Sequence, residues 1–266
     1  ITAPATCHTA SRLQSTSAGT TADVNLTAIH SLDYLTYRDI NNIGAAFTVR
    51  RGSDVGGVAS NLTVGANIAN TLYWIGGVAA SAAKNGTYTT GVNTNWNNPD
   101  NWSIVDGTYS GNNVCIPTID DIVNFTSNSF DGTNGAVTLN VNGSAGNVVW
   151  DAGVTNNPTI TGATTENLTV SGDYLINAAG IMTQSIGGTI NFTGAYDAGP
   201  HNITSNGQTI AHRVVINNAT ASIITNTDAM VCTGMFDLTD GEWNLGATMT
   251  CDTLSTNIVT TLSLIH

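Results

Sequence analysis

The stretch LTVSGDYLIN, residues 168–177, decides the fold when it is set beside MVCTGMFDLT, residues 230–239. Both segments carry an apolar residue, a Ser or Thr followed by Gly, an aromatic residue and a second apolar residue at the same spacing. The offset between their first residues, Leu168 and Met230, is close to three periods of roughly 20 residues, which is the period range of a stacked repeat. This spacing predicts a β-solenoid, in which each coil of the chain lies on the previous one.

The rest of the chain has the pattern of β-strands. Apolar and polar residues alternate in short segments such as 47–50, 137–142 and 189–193, and Asn-Gly or Asp-Gly pairs separate many of them. Alternation with a period of two indicates strands with one buried face. We therefore predict an all-β protein, a parallel β-solenoid with a tryptophan-rich capping region, in which Asn and Thr form ladders between coils. An antiparallel β-sandwich has similar turn spacing and is the alternative.

The composition combines enough apolar material for a core with a weakly charged surface. Hydrophobic residues make up 41% of the chain and charged residues 9%, whereas an average soluble protein has about 25% charged residues. The net charge of −12, with six Lys and Arg in total, argues against nucleic-acid binding, which needs clustered basic side chains. No apolar run is long enough to span a bilayer, so the sequence predicts no membrane-spanning helix.

Changes in composition divide the chain into four parts. Residues 1–71 are interpreted as the end of an upstream β-rich solenoid unit, residues 72–136 as a Trp-rich cap and module start, and residues 137–261 as solenoid coils. The last segment, LSLIH (262–266), is the translation of CTGTCTCTTATACAC, the start of a transposase adaptor used to prepare sequencing libraries. We expect this segment to be an adaptor artefact.

A series of motifs resembles the opening of tryptophan-led β-solenoid modules. The series is Trp74-x-Gly76-Gly77, Asn95-Trp96, Asn101-Trp102-Ser103, Pro117-Thr118-x-Asp120-Asp121-x-Val123-x-Phe125, Ser129-Phe130 and Val137-Thr138-Leu139. Such modules occur in large secreted bacterial surface proteins and in fibre or virion-associated proteins of tailed phages. The resemblance implies structural roles for Trp74, Gly76, Gly77, Pro117 and Phe125, and it supplies no catalytic residues. The sequence departs from the pattern at Cys115, which has no partner cysteine just after Val137.

The segment NWNNPDNWS, residues 95–103, has two interpretations. In the first, Trp96 and Trp102 form a sugar platform, because aromatic faces stack on pyranose rings while Asn98 and Asp100 bind the hydroxyl groups. In the second, both tryptophans are buried anchors that cap the open end of the solenoid, whose terminal coil would otherwise expose apolar residues and strand edges. We favour the anchor interpretation.

Acidic residues suggest a calcium site and, separately, a catalytic site. Asp120 and Asp121 form the best acidic pair, and Ca²⁺ prefers oxygen ligands. Adjacent residues on a strand point to opposite faces, however, so we expect Asp120 to cap a turn and Asp121 to face solvent. A catalytic solenoid would need acids and bases that converge on one face. The candidates are Asp237, Asp240, Glu242 and Asp252, with His212 and Arg213, and we expect the carboxylates to be solvated turn residues.

The four cysteines, Cys7, Cys115, Cys232 and Cys251, contain no C-x-x-C pair, so a zinc ribbon or a thioredoxin-like motif is not indicated. Cys251 follows Cys232 by one predicted period of the repeat. In the repeat alignment Cys232 replaces Val170 at an inward position. We expect two buried free thiols in neighbouring coils rather than a disulfide, although both remain open.

These observations lead to a functional hypothesis. We expect a non-enzymatic structural or adhesive segment of a larger fibre or surface protein, either in a tailed-phage virion or in a bacterial adhesin outside the cell. The alternatives are a carbohydrate-binding module and a polysaccharide lyase or hydrolase. The hypothesis predicts no cofactor, with calcium as the weaker alternative. It predicts a cell-surface or extracellular polysaccharide as the partner, and a homotrimer if the chain belongs to a phage fibre.

Overall fold

The computed structural model describes residues 11–28, 30–33, 35–50, 53–54, 59–60, 62–64, 69–76, 94–108, 114–130, 135–197, 199–218 and 223–256. These residues form β-strands and one turn of 3-10 helix, Pro99–Asn101. The strands build about 8 turns of a parallel β-solenoid, so the predicted fold class is confirmed. The expectations for Gly77 and for residues 262–266 fall outside the described residues.

The chain forms two compact units, residues 1–68 with 112–115, and residues 69–111 with 116–266. The strands of the first unit are β1 (Ser11–Gln14), β2 (Ala22–Val24), β3 (His30–Asp33), β4 (Leu35–Arg38), β5 (Ile40–Asn42), β6 (Phe47–Arg50), β7 (Ser53–Asp54), β8 (Ala59–Ser60) and β9 (Leu62–Val64). Each strand pairs in parallel with the third strand after it, which gives the three sheets β1-β4-β7, β2-β5-β8 and β3-β6-β9. The alternating pattern of β4 and β6 directs Leu35, Tyr37, Phe47 and Val49 into one buried cluster.

The described residues of the second unit also form three sheets. Its strands are β10 (Thr71–Trp74), β11 (Trp102–Ser103), β12 (Ile122–Phe125), β13 (Ala136–Leu139), β14 (Gly143–Ala145), β15 (Asn147–Trp150), β16 (Thr159–Gly162), β17 (Leu168–Val170), β18 (Tyr174–Ile176), β19 (Thr183–Ile186), β20 (Thr189–Phe192), β21 (His201–Thr204), β22 (Thr209–Asn217), β23 (Ile223–Asn226), β24 (Met230–Asp240), β25 (Glu242–Leu245), β26 (Met249–Thr250) and β27 (Thr253–Thr256). Sheet A has the order β11-β10-β12-β15-β18-β21-β23-β25, and sheet B has the order β13-β16-β19. Sheet C has the order β14-β17-β20-β22-β24-β26, and β27 also pairs with β24.

Strand direction separates the two predicted all-β architectures. Among the described residues, the pairing of β11 with β10 is the one antiparallel pair of named strands, and every other named pair is parallel. Consecutive coils therefore stack in register, as a solenoid requires, and the antiparallel sandwich is wrong. None of the described helical residues forms a segment with the length and hydropathy needed to cross a membrane.

The core consists of apolar columns that run from coil to coil. In sheet C, Leu168 pairs with Ile190, Ile190 with Val214, and Val214 with Phe236, and all four side chains are buried. Strand alternation directs one residue in two inward, where it contacts the equivalent residues of the coils above and below, at a spacing of about 4.8 Å. Burial of these columns is the main stabilising contribution of the fold.

The register differs from the predicted repeat alignment. Three coils after Leu168 the column reaches Phe236 rather than Met230. Tyr174 lies in sheet A, whereas its predicted equivalent Phe236 lies in sheet C. The alignment was wrong because coils differ in length: the coil that leads from Ile122 to its partner Asn147 is longer than the one that leads from Ile224 to Trp243.

Polar ladders connect the corners of the coils. Asn142 Oδ1 accepts a hydrogen bond from the backbone N–H of Asn167 at 3.0 Å, and Asn167 Oδ1 accepts one from the N–H of Thr189 at 2.8 Å. Like side chains also pair, as in the contact of 2.6 Å between the hydroxyl groups of Thr204 and Thr227. These contacts satisfy polar groups where the chain leaves one sheet for the next.

Candidate functional site

The tryptophan cap, which comprises Trp74, Trp96 and Trp102, covers the first strands of two sheets. Trp102 lies in β11, which closes the edge of β10. Beside Trp96, Asn95 forms a bridge to Thr138 of β13, and the N–H of Trp96 donates to the Thr138 carbonyl at 2.7 Å. The segment between the two tryptophans therefore occupies the edges of both sheet A and sheet B, where unpaired backbone groups would otherwise remain.

The indole rings of the cap are packed against each other. The ring centroids of Trp74 and Trp102 are 4.9 Å apart at an interplanar angle of 77°, and those of Trp96 and Trp102 are 4.9 Å apart at 74°. Trp96 and Trp102 are 1% and 0% exposed. Neither ring offers a face on which a sugar could stack, so this geometry favours the anchor interpretation over the sugar platform.

The turn between the two tryptophans is held by its own side chains. Asn98 is the N-cap of the 3-10 turn and accepts a hydrogen bond from the N–H of Asp100 at 3.2 Å. The fully buried Asn101 donates through Nδ2 to the carbonyl of Asn95 at 2.8 Å. A Cβ atom at Gly76 would lie 2.6 Å from Asn101 Cγ, so this position requires glycine. Asn98 and Asp100 are half-buried, and both take part in the turn.

Two further residues implied by the resemblance lie in the interior. The ring of Phe125 stacks on Trp150 with a centroid separation of 3.9 Å and an interplanar angle of 13°. Phe130 stacks on the same indole at 6.1 Å. Pro117 is also buried, at the approach to β12. Phe125 and Pro117 therefore both belong to the packed interior.

Asp121 is buried, 1% exposed, and the expectation that it faces solvent was wrong. Its Oδ1 accepts from the N–H of Asn70 at 3.0 Å, and its Oδ2 accepts from the N–H and the hydroxyl of Thr118 at 2.9 and 2.8 Å. The carboxylate therefore ties the start of β10 to the turn before β12. Because backbone and hydroxyl donors occupy its oxygens, Asp121 resembles a capping group rather than a calcium ligand.

Metal-ligating residues do not converge where the chain is described. No group of three or more His, Cys, Asp or Glu side chains there has the arrangement of a metal site. Asp120 is half-buried next to Asp121 in the turn. The calcium alternative has no ligand set among these residues.

A polar groove lies on the outer face of sheet C. Ser144 pairs with Thr169, and Thr169 with Asn191, so that three consecutive coils each carry one outward polar side chain, and Val215 follows in the fourth coil. The groove has a volume of about 340 Å³, and its lining residues are Asn142, Gly143, Ser144, Asn167, Thr169, Thr189, Asn191, Arg213, Val215 and Asn217. Within the described part of the chain, Asn191 Oδ1 is buried without a hydrogen-bond partner. We call this feature the sheet C groove.

An ion pair lies at one end of the sheet C groove. Arg213 Nη2 is 2.7 Å from Asp237 Oδ2, and the two side chains are 45% and 12% exposed. Asp237 follows Val215 in the outward column. The expectation that Asp237 is a solvated turn residue was wrong, because it lies within β24 and is covered. The pair leaves this end of the groove without net charge.

The other carboxylates considered for catalysis lie apart from Asp237. Asp240 is exposed at the end of β24, where Gly241 turns the chain with a φ of 93°. Glu242 begins β25 in sheet A, and Asp252 is exposed in the bend between β26 and β27. His212 lines a second cavity of about 370 Å³, beside Gln184 and Thr209. The structure therefore brings Arg213 and Asp237 together and does not bring the remaining candidates to them.

The described cysteines are in two states. Cys115 is disulfide-bonded, whereas Cys232 and Cys251 are free thiols, as expected. Cys232 is buried, as expected, whereas Cys251 is half-buried, so the expectation of two buried thiols was wrong for Cys251. Cys232 pairs with Ala211 and does not occupy the position of Val170, whose column continues through Phe192, Ile216 and Leu238.

The sheet C groove was not predicted from the sequence. One signal was present, because Asn142-Gly143-Ser144 and Asn167-Leu168-Thr169 repeat the pattern Asn-x-Ser/Thr at equivalent places of two consecutive coils. The ion pair had no such signal, since Arg213 and Asp237 are ordinary residues far apart in the sequence until the register is known.

Comparisons of the sequence with family models, and of the chain with curated proteins and solved structures, find no match.

Proposed function

We propose that this chain is a non-enzymatic structural segment of a larger extracellular fibre or surface protein. The observation that carries the proposal is the uninterrupted parallel pairing of sheet A, in which the seven strands from β10 to β25 each belong to a different coil. Every coil is then held to its neighbours by backbone hydrogen bonds and by a shared apolar column. Such a stack suits a stiff spacer that carries load along its axis.

Two other features support a location outside the cell. Cys115 is disulfide-bonded, and disulfides persist mainly in oxidising environments. The surface contains few charges and many Asn, Thr, Ser and Gly residues. The resemblance to tryptophan-led solenoid modules suggests two settings for the chain, a tailed-phage virion and a bacterial surface protein. In the phage setting a homotrimer is expected, which sedimentation of the purified chain would detect.

Pulling single molecules by their two ends tests the load-bearing role. A solenoid spacer unfolds coil by coil, and a coil as long as the one between Ile122 and Asn147 releases about 85 Å of extended chain. We expect a series of such steps. A single step at low force would contradict the proposal. Measurable turnover of any member of a polysaccharide panel would contradict the non-enzymatic part of it.

We propose a second, adhesive role for the sheet C groove, in which it binds a neutral glycan. The outward hydroxyl and amide groups of Ser144, Thr169 and Asn191 follow one another in three consecutive coils, about 4.8 Å apart, a distance similar to the length of one sugar residue in an extended glycan. The Arg213–Asp237 pair is internally neutral, and a net charge of −12 repels acidic polysaccharides. Each site would bind weakly and gain strength through multiplicity.

A matched pair of variants tests the adhesive role on a glycan array. Asn191→Ala removes a groove amide, and Asn202→Ala removes an amide from the outer face of sheet A. Loss of one hydrogen bond of about 1 kcal/mol weakens binding about fivefold. We expect this loss for Asn191→Ala and none for Asn202→Ala. Equal effects of both variants, or no binding by the unaltered chain, would contradict the role.

A further inference from the structure

Cys232 and Cys251 lie at equivalent positions of consecutive coils. Met230 pairs with Met249 and Val231 with Thr250 in parallel register, and the two cysteines follow one position later with the same offset. Both are free thiols. The Cys232 thiol donates a hydrogen bond of 4.0 Å to the carbonyl of Gly234. Burial is the main cause of the raised pKa of Cys232, and the neighbouring Cys251 is the next. The register and this influence of Cys251 on Cys232 place the two free thiols next to each other in consecutive coils.

The spacing of the two strands suits a disulfide. Neighbouring strands lie about 4.8 Å apart, and disulfides bridge Cα atoms that are roughly 4.4 to 6.8 Å apart. The bond therefore requires adjustment of the side chains rather than separation of the coils. The two thiols differ in access, because Cys232 is 2% exposed whereas Cys251 is half-buried.

We propose that Cys232 and Cys251 form an oxidative cross-linking site, at which a small-molecule disulfide converts the two thiols into a bond between consecutive coils. Cys251, the accessible thiol, attacks the small disulfide R–S–S–R as a thiolate, forms Cys251–S–S–R and releases the first RSH. Cys232 then attacks the Cys251 sulfur and releases the second RSH. The two cysteines lose two electrons and two protons, and the small disulfide gains both as two thiols.

The order of the two steps follows from the environment of Cys232. Burial, and next the neighbouring Cys251, raises the pKa of Cys232 to about 11. Cys232 is therefore a thiol at neutral pH and a poor first nucleophile. The closing step should accelerate with pH about tenfold per unit below pH 11, because the thiolate fraction rises by that factor.

The disulfide of Cys115 indicates that the same chain is exposed to the oxidants that the Cys232–Cys251 site requires. Cys115 is already disulfide-bonded, so an environment that maintains that bond also contains the oxidants that the second site requires. The cross-link would close a loop that spans one coil of the solenoid, and a closed loop restricts the unfolded chain. The cross-linked coils should consequently unfold at a higher temperature than the reduced ones.

Peptide mapping after treatment with oxidised glutathione tests the proposal. Chymotrypsin is suitable, because Phe236 and Trp243 lie between the two cysteines and the chain contains no Lys or Arg after Arg213. We expect a disulfide-linked pair of peptides that contains Cys232 and Cys251, and a rise in the midpoint of thermal unfolding that a reductant reverses.

Single variants separate the two steps. Cys232→Ser should retain a glutathione adduct on Cys251, because no second thiol displaces it. Cys251→Ser should leave Cys232 unmodified. A lasting adduct on Cys251 of the unaltered chain would overturn the proposal. It would also be overturned by disulfide-linked dimers, or by alkylation of both cysteines with iodoacetamide after the treatment.

Discussion

The indole Nε1 of Trp102 donates a hydrogen bond of 2.8 Å to the backbone carbonyl of Trp96. Trp102 belongs to the strand that closes sheet A, whereas the N–H of Trp96 donates to Thr138 in the first strand of sheet B. This one hydrogen bond therefore connects the residue that closes the edge of sheet A to the residue that closes the edge of sheet B. It makes the cap a single unit in which both tryptophans are required.

Replacing Trp102 tests that coupling. Trp102→Phe keeps a ring but leaves the Trp96 carbonyl unpaired, and it should lower the free energy of unfolding by about 1–3 kcal/mol. Trp102→Ala also creates a cavity and should cost about 3–5 kcal/mol. Urea unfolding measures both values, and Ile104→Ala, at a residue 56% exposed, is the control and should change stability by about 0.5 kcal/mol or less. Equal stability of Trp102→Phe and the unaltered chain would show that the bond is dispensable.

Fluorescence quenching provides an independent measure of the cap. All five tryptophans of the chain are between 0% and 3% exposed. Iodide, which does not enter a close-packed interior, should quench the native protein weakly and the urea-unfolded protein strongly. Strong quenching in the native state would mean that at least one indole face is open, and the sugar-platform interpretation would then return.

Asp121 should contribute to stability without any metal. Asp121→Ala leaves donors of the half-buried Asn70 and Thr118 without their acceptor, which should cost about 1–3 kcal/mol. Asp120→Ala, at the half-buried neighbour, should cost less. Thermal unfolding with and without added Ca²⁺ should give the same midpoint for the unaltered chain. If Ca²⁺ raised the midpoint of the unaltered chain but not that of Asp121→Ala, Asp121 would instead be a calcium ligand.

The architecture could be predicted from the sequence because the pattern that determines it lies within short segments of the chain. Alternation in segments such as Val137 to Asn142 requires an extended strand with one buried face, whatever the rest of the chain does. Stacking of such strands could also be inferred, since a repeat that cannot bury its own apolar face must pack against its neighbours. Both inferences use only residues that are close in sequence.

The register and the site could not be predicted because they depend on loop lengths. Residues between strands can be added without disturbing the column of Leu168, Ile190, Val214 and Phe236, so the period varies and the alignment of Leu168 with Met230 failed. The burial of Asp121 was missed for the same reason, since its donor Asn70 lies far away in the sequence. A hydrogen bond between residues so far apart leaves no recognisable pattern in a short segment of the sequence.

The Asn ladder predicts a difference between two variants of one residue. Asn167→Ala removes the acceptor for the N–H of Thr189 and should cost about 1 kcal/mol at this half-buried corner. Asn167→Asp retains an oxygen at the same place and should cost less. Urea unfolding distinguishes them, and equal losses would mean that the ladder contributes through packing rather than through this hydrogen bond.

Tyr174 should make the protein sensitive to alkali. It is fully buried, its hydroxyl accepts a hydrogen bond of 2.6 Å from Gln184 Nε2, and burial raises its pKa well above the ordinary value. In the unfolded chain its pKa is about 10, so the unfolded state releases the proton first as pH rises. The stabilisation from this group is therefore complete below about pH 10 and decreases above it, by about 1.4 kcal/mol per pH unit.

Comparison with Tyr174→Phe isolates this contribution, since the other ionisable groups are the same in both proteins. The free energy of unfolding of the unaltered chain, measured by urea from about pH 8 to about pH 11, should fall more steeply above about pH 10 than that of the variant. Tyr196→Phe is the comparison variant. Tyr196 is half-buried, and burial, followed by the nearby Asp197, raises its pKa as well, so this variant should change the slope less than Tyr174→Phe does. Parallel curves for the unaltered chain and Tyr174→Phe would mean that Tyr174 ionises in the folded protein, and that the column between Val148 and Ile203 admits water.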